Sequence, residues 1–172
     1  ITFDRTQPEG ATLTLQQGSD GDSVDSSWNH VDDGLIIYLP FEEGSGAVTE
    51  DWSVNNYQGS ITGATWDTGN NEPNTGDSLS FDGNSYVDLG EDKSVFDVSS
   101  ISISVWVYPT TTGPGSETYR IVSRDRSDYW MLGQTTNNAL EWTVRTSSAM
   151  EQKFTAFNVL TTNDWNHIAA TY

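Results

Sequence analysis

Three kinds of chemistry have their residue types in this chain. A serine nucleophile needs a histidine base oriented by a carboxylate. Ser78, within Gly76-Asp77-Ser78-Leu79, and the Asp164-Trp165-Asn166-His167 run supply those types. Glycoside hydrolysis needs two carboxylates roughly 5–9 Å apart across a cleft. The pairs Asp32-Asp33 and Glu42-Glu43 are adjacent, so in strands their members face opposite ways, and Glu141 has no acid two residues away. Sugar recognition needs an aromatic platform beside hydrogen-bonding groups. Trp106 and Tyr108 sit on the more polar side of an alternating segment, and Trp130 and Trp142 sit in segments rich in Tyr, Arg and Glu. For all four rings a second reading stands beside the platform: they cover the inside of a layered fold. Metal chemistry has thinner support. His30 and His167 are the only histidines and lie far apart, which argues against a histidine zinc site. Asp20-Gly21-Asp22-Ser23-Val24-Asp25 fails calcium-loop spacing, with Val24 at a ligand position and Asp25 where Gly belongs.

The elements that must position these residues are strands. Period-2 alternation dominates and helical periodicity is nearly absent. In Ile101–Tyr108, Ile101, Ile103, Val105 and Val107 point one way and Ser102, Ser104, Trp106 and Tyr108 the other; Pro109 then ends the segment. The same reading gives strands at Leu35–Phe41, Gly59–Thr62, Ser78–Phe81, Tyr86–Leu89, Tyr119–Arg124, Tyr129–Leu132, Leu140–Arg145, Lys153–Phe157 and Asn166–Tyr172. Turn residues separate them at Thr68–Gly76, Asp82-Gly83-Asn84, Gly113-Pro114-Gly115 and Asn137-Asn138. Asp82-Gly83-Asn84 reads as the tight turn of a hairpin between Phe81 and Tyr86. Tryptophans 52, 66, 106, 130, 142 and 165 fall on separate elements, as core aromatics of two facing sheets would. Many short strands with such punctuation predict an all-β sandwich or barrel. Residues 1–17 read as the end of an upstream β segment, residues 18–34 as an acidic flexible linker, and residues 35–172 as the sandwich. The Gly-Asp-Ser-Leu motif resembles that of serine esterases, which are α/β proteins. No helical segment lies between Ser78 and His167, so the pair reads as coincidence.

Charge bounds the partners. Twenty-five acids against seven bases give a net −18, with a pI near 4.1. Little here can neutralise a phosphate backbone, so nucleic acid is not expected as a partner, nor adhesion to an anionic membrane surface. No apolar run approaches the ~20 residues of a membrane helix, so membrane insertion is not expected. The absence of Cys excludes disulfides and thiol chemistry. Twenty aromatic residues (7 Trp, 7 Tyr and 6 Phe) argue for a folded core rather than an acidic disordered tail. Abundant Asp with almost no Lys resembles proteins of salt-loving microbes, because molar salt shortens the Debye length to ~3 Å; an ordinary acidic secreted protein is the other reading. The chain opens at Ile1 without Met and stops inside a strand at Tyr172, so part of a larger multidomain chain is expected.

From Leu35 onward five pieces occur in a familiar order: LIIYLPFEEGSGAVTEDWSVNNYQGSITGATW (35–66), DSLSFDGNSYVDLG (77–90), ISISVWVYP (101–109), RIVSRD (120–125) and DWNHIAATY (164–172). Together they resemble the laminin-G-like, concanavalin-A-like jelly-roll domains common in secreted microbial proteins. The resemblance implies an antiparallel jelly-roll β-sandwich. That family continues with further strands, so the sandwich is expected to be incomplete at its C-terminal end. It also implies a structural Ca²⁺ in the Asp51–Asn56 loop, with Asp51 and Asn55 at the matching ligand positions. Val54 stands where the family has Gly, and a plain hydrogen-bonded turn is the other reading of that loop. The implied role is a non-catalytic recognition or adhesion module, extracellular or at the cell surface, with a glycan or protein ligand. An accessory domain of a polysaccharide-degrading enzyme and a structural β spacer are the alternatives.

Overall fold

A computed structural model describes residues 34–71, 76–90, 96, 98–115, 117–124, 129–145 and 149–172. The segments 1–17 and 18–33 assigned above to an upstream element and a linker lie outside the described residues, as do His30 and the Asp20–Asp25 run. Among the described residues every strand pairing is antiparallel. Eleven strands are assigned among the described residues: β1 (Val48–Glu50), β2 (Gln58–Thr62), β3 (Thr65–Asn71), β4 (Gly76–Ser80), β5 (Tyr86–Asp88), β6 (Ser102–Val107), β7 (Tyr119–Arg124), β8 (Tyr129–Gln134), β9 (Leu140–Arg145), β10 (Met150–Phe154) and β11 (Asn166–Thr171). They form a three-stranded sheet β1-β2-β5, a four-stranded sheet β10-β9-β8-β7, and two ribbons, β11-β6 and β3-β4.

The sandwich core lies between the β6–β11 ribbon and the four-stranded sheet. Alternation brings Ile103, Val105 and Val107 of β6 inward with Ile168 and Ala170 of β11. From the other side come Leu132 of β8, Val122 of β7, and Leu140 and Trp142 of β9, with Leu160 from a loop. Leu132, Leu160 and Ile168 are its fully buried centre. At ~25 cal/mol per Å² of apolar surface removed from water, this layer is the main stabilising contact between the two sheets.

Several expectations are corrected. Leu35–Phe41 forms no strand; Pro40 offers no N–H to a ladder, and Phe41 sits at φ +59°, a left-handed conformation that stops an extended run. The segment is held instead through side chains of the 51–57 loop. Asp82-Gly83-Asn84 is not a hairpin turn, because β4 pairs with β3 and β5 with β2. It is an Asx turn linking two sheets: Asn84 N–H donates to Asp82 Oδ1 at 2.9 Å, and Gly83 has φ +90°. The tryptophans are not all core residues either. Trp52 is 54 % exposed, and Trp66 donates its indole N–H to the Gly46 carbonyl at 2.9 Å.

A polar hub organises one end of the sandwich. Asn138 is buried at φ +56° in a one-turn 3₁₀ helix, Thr136–Asn138. Its amide donates to the Leu160 carbonyl (2.9 Å) and to Thr162 Oγ1 (2.8 Å), and its Oδ1 accepts from Gln134 Nε2 (2.7 Å). Its backbone N–H bonds the Thr112 carbonyl. One side chain and its backbone thus tie the 109–115, 134–139 and 158–163 connections together, which leaves no buried polar group of Asn138 unpaid.

Candidate functional site

The outer face of the β6–β11 ribbon carries four rings in two contacting pairs. Cross-strand register sets Trp106 opposite His167 and Val107 opposite Asn166, so Tyr108 and Trp165 follow as the next facing pair. The Trp106 and His167 rings lie 4.9 Å apart, tilted by 42°. Tyr108 and Trp165 meet edge to face at 5.6 Å. His167 Nε2 is 2.8 Å from Ser104 Oγ, which fixes the imidazole against its strand neighbour. Ser102, Ser104, His167, Ala169 and Thr171 are all exposed, so the face is open. Successive same-face residues of a strand stand about 7 Å apart, so the two ring pairs make two platforms in a row. Asn163 N–H bonds the Pro109 carbonyl at 2.8 Å, closing the end that carries Tyr108 and Trp165.

The four aromatic candidates divide between the two sides. Trp106 and Tyr108 are on the open face. Trp142 packs on the core opposite Leu132 and donates its indole N–H to the Thr171 carbonyl at 3.2 Å. Trp130 shares the side of Leu132, two residues along β8, and meets Phe96 edge to face at 6.4 Å. For these two, the reading as cover for the inside of the sandwich describes their placement. Trp165 and His167 complete this face beside the two rings expected there. Their alternation opposite Trp106 was legible, but the β6–β11 pairing that makes a platform of four rings is a long-range contact.

The Asp51 loop does a different job. Asp51 is 2 % exposed. Its Oδ1 accepts from Tyr38 N–H (2.8 Å) and Ser53 N–H (2.9 Å), and its Oδ2 from Ser53 Oγ (2.7 Å) and Tyr57 N–H (3.0 Å). A carboxylate has about four acceptor sites, and all are engaged. Asn55 turns its Nδ2 to the Ile36 carbonyl at 2.8 Å. With Asp51 saturated and Asn55 donating, the residues as placed do not fit a calcium ion; they latch the 35–38 segment onto the β1–β2 connection. Burial opposes ionisation of Asp51, but the four hydrogen bonds outweigh it and hold the carboxyl below its ordinary value. No group of three or more His, Cys, Asp or Glu side chains placed to hold a metal occurs among the described residues.

A second buried carboxylate, Glu141, is 6 % exposed on the side of β9 away from the core. It accepts from Thr118 Oγ1 (2.6 Å), Gln152 Nε2 (2.6 Å) and Thr143 Oγ1 (2.8 Å). Burial raises its pKa; these bonds and the charge of Arg120 more than reverse that, so it too lies below the ordinary range. It cross-links β7's approach, β9 and β10. The space for Thr118 exists because Gly133 has no side chain: a Cβ there would collide with Thr118 and the Tyr119 carbonyl.

The esterase-like residues stand apart. Ser78 lies on β4 opposite Asp67, His167 lies on β11, and Asp164 accepts from the N–H of its own neighbour Trp165. Gly76 and Asp77 have a structural reason: a Cβ at Gly76 would strike the Glu42 carboxylate, which accepts the Asp77 N–H at 3.0 Å. Ser104 and His167 are in hydrogen-bond contact, yet β6 and β11 carry no carboxylate to orient the imidazole for base work. A mainly apolar slot between β9–β10 and β11 is lined by Leu140, Trp142, Ile168 and Ala170, with Lys153 and Thr155 as its polar side chains.

A family model described as the concanavalin A-like lectin/glucanases superfamily, of the laminin G type, matches residues 81–172. The matched span holds β5 to β11, and so both layers of the core and all four rings of the open face. No curated protein and no solved structure matches the chain. Among the described residues no helix is long and apolar enough to cross a membrane.

Proposed function

The chain belongs to the concanavalin A-like lectin/glucanases superfamily, whose laminin-G-like domains are commonly binding modules, and from that premise we propose that it is a non-catalytic recognition module that binds carbohydrate on the outer face of β6 and β11. The observation that carries this reading is the open row of paired rings, Trp106 with His167 and Tyr108 with Trp165. Sugar rings present C–H faces that stack on aromatic planes, and the flanking hydroxyls of Ser102, Ser104 and Thr171 supply hydrogen-bonding groups. Strands β6 and β11 themselves contain no Asp or Glu to contribute to the acid pair that glycoside hydrolysis needs. The setting we propose is a secreted or cell-surface protein of a high-salt environment, with this chain as one part of a larger one. Adhesion through a glycan ligand fits that setting.

The test is a glycan array in low and in molar KCl, repeated with Trp106→Ala. We expect glycan binding that the substitution abolishes. Binding retained in full by Trp106→Ala, or a protein ligand with no glycan bound in either salt, would remove this reading.

A further inference from the structure

The ring face stands out by its charge as well as its shape. In a chain of 32 Asp, Glu, Lys and Arg, none occurs among the six residues of β6 or the six of β11. The four-stranded sheet carries Arg120, Arg124, Glu141, Arg145, Glu151 and Lys153 instead. The two strands therefore offer stacking planes and hydroxyls, with His167 as their one titratable group and no Lys or Arg to pair with a uronate, sulfate or phosphate. The surrounding field, set by net −18, repels anions approaching it at low salt.

The platforms also have a direction. Both ring pairs lie along the strands, about 7 Å apart by strand geometry, and the hydroxyls of Ser104 and Ser102 continue the row beyond Trp106. One sugar ring occupies one platform. A second, joined to it, reaches the next without leaving the face. Resting on the reading of this face as a carbohydrate site, we infer that its ligand is an uncharged oligosaccharide of at least two rings, lying along β6 and β11.

The experiment is isothermal titration of the whole chain with glucose, galactose, mannose and xylose homo-oligomers of one, two and four rings, and with galacturonate oligomers of two and four. We expect at least tenfold tighter binding for two rings than for one in one neutral series. We expect that affinity to change less than twofold between low and molar KCl, because no ion pairs form. Trp165→Ala should bring the two-ring ligand down to the one-ring level, and Trp106→Ala should weaken both. Trp106→Phe, which keeps a ring, controls for misfolding and should restore most of the affinity, with unfolding midpoints measured for every variant. Equal affinity for one and two rings, or tighter binding of galacturonate than of every neutral series, overturns the inference while leaving a sugar site in place. If no oligomer of either charge class binds, the carbohydrate reading and this inference fall together.

Discussion

Asp51 and Glu141 are carboxylates buried almost wholly among neutral donors. Asp51 takes four hydrogen bonds and Glu141 three, and each bond to a charged acceptor contributes about 1.5–3 kcal/mol when its loss leaves the partner unpaired. Asp51→Asn keeps the shape but sets an NH₂ against N–H donors. It should cost about 2–3 kcal/mol in urea unfolding, equally with and without millimolar Ca²⁺. A calcium-dependent rise in midpoint that this substitution abolishes would show that the latch opens to hold the ion. Both carboxyls also bind a proton less readily folded than unfolded. Their stabilisation is therefore complete above the ordinary carboxylate range near 4 and is lost as pH falls through their lower folded values. Acid unfolding should steepen below about pH 4 and be shallower in Glu141→Gln, read by circular dichroism against pH. A variant curve parallel to that of the parent would mean that Glu141 titrates alike folded and unfolded.

At the scale of elements, the sandwich depends on two packed layers and on loops tied at one end. Ile168→Ala removes a 5 % exposed side chain from the face where β11 meets β8, and should cost roughly 3 kcal/mol. Asn138→Ala removes the side-chain bonds to Gln134, Leu160 and Thr162 and keeps the backbone bond to Thr112. We expect a loss of about 2–4 kcal/mol and faster amide exchange at Asn158 and Leu160, whose N–H groups bond to residues 137 and 138. Unchanged exchange there would mean that the loops hold without the hub. The same comparison shows what the sequence could tell. Tyr119–Arg124 and Leu140–Arg145 are read residue for residue, because each is an uninterrupted run bounded by turn chemistry. Leu35–Phe41 has the same apolar run, but Pro40 and the left-handed Phe41 break it. The three-residue β1 is too short to show a period. The Asp82–Asn84 turn was legible as a turn and not as a link between sheets, since pairing depends on strands β2 and β3 far back in the chain. The site divides the same way. Alternation along β6 puts Trp106 and Tyr108 outside. Trp130 and Trp142 carry no comparable sign of their side, and a carboxylate's suitability for a cation depends on donors such as Tyr38, 13 residues away from Asp51.

For the whole molecule the governing quantity is 25 acids against 7 Lys and Arg. If every cation neutralised one carboxylate, 25 − 7 = 18 would remain uncompensated. Asp51 does nothing to relieve this, because it is held by neutral N–H and O–H donors and not by a cation. Against that repulsion stands a small apolar centre, with Leu132, Leu160 and Ile168 as its fully buried members among the described residues. Folding gathers the charges into a smaller volume, so self-repulsion opposes the folded state more than the unfolded one. Added salt screens it: the Debye length falls from about 30 Å at 0.01 M to about 8 Å at 0.15 M and about 3 Å at 1 M. Urea midpoints should accordingly rise with KCl, most steeply below roughly 0.15 M, where the screening length drops through the spacing between surface carboxylates. Most of the gain should also appear in Asp51→Asn, since that carboxylate is locally satisfied and contributes only one charge to the field. A midpoint that stays flat or falls from low to molar KCl would show that the core and its hydrogen-bonded loops carry the fold without help from counterions, and the proposed high-salt setting would go with it.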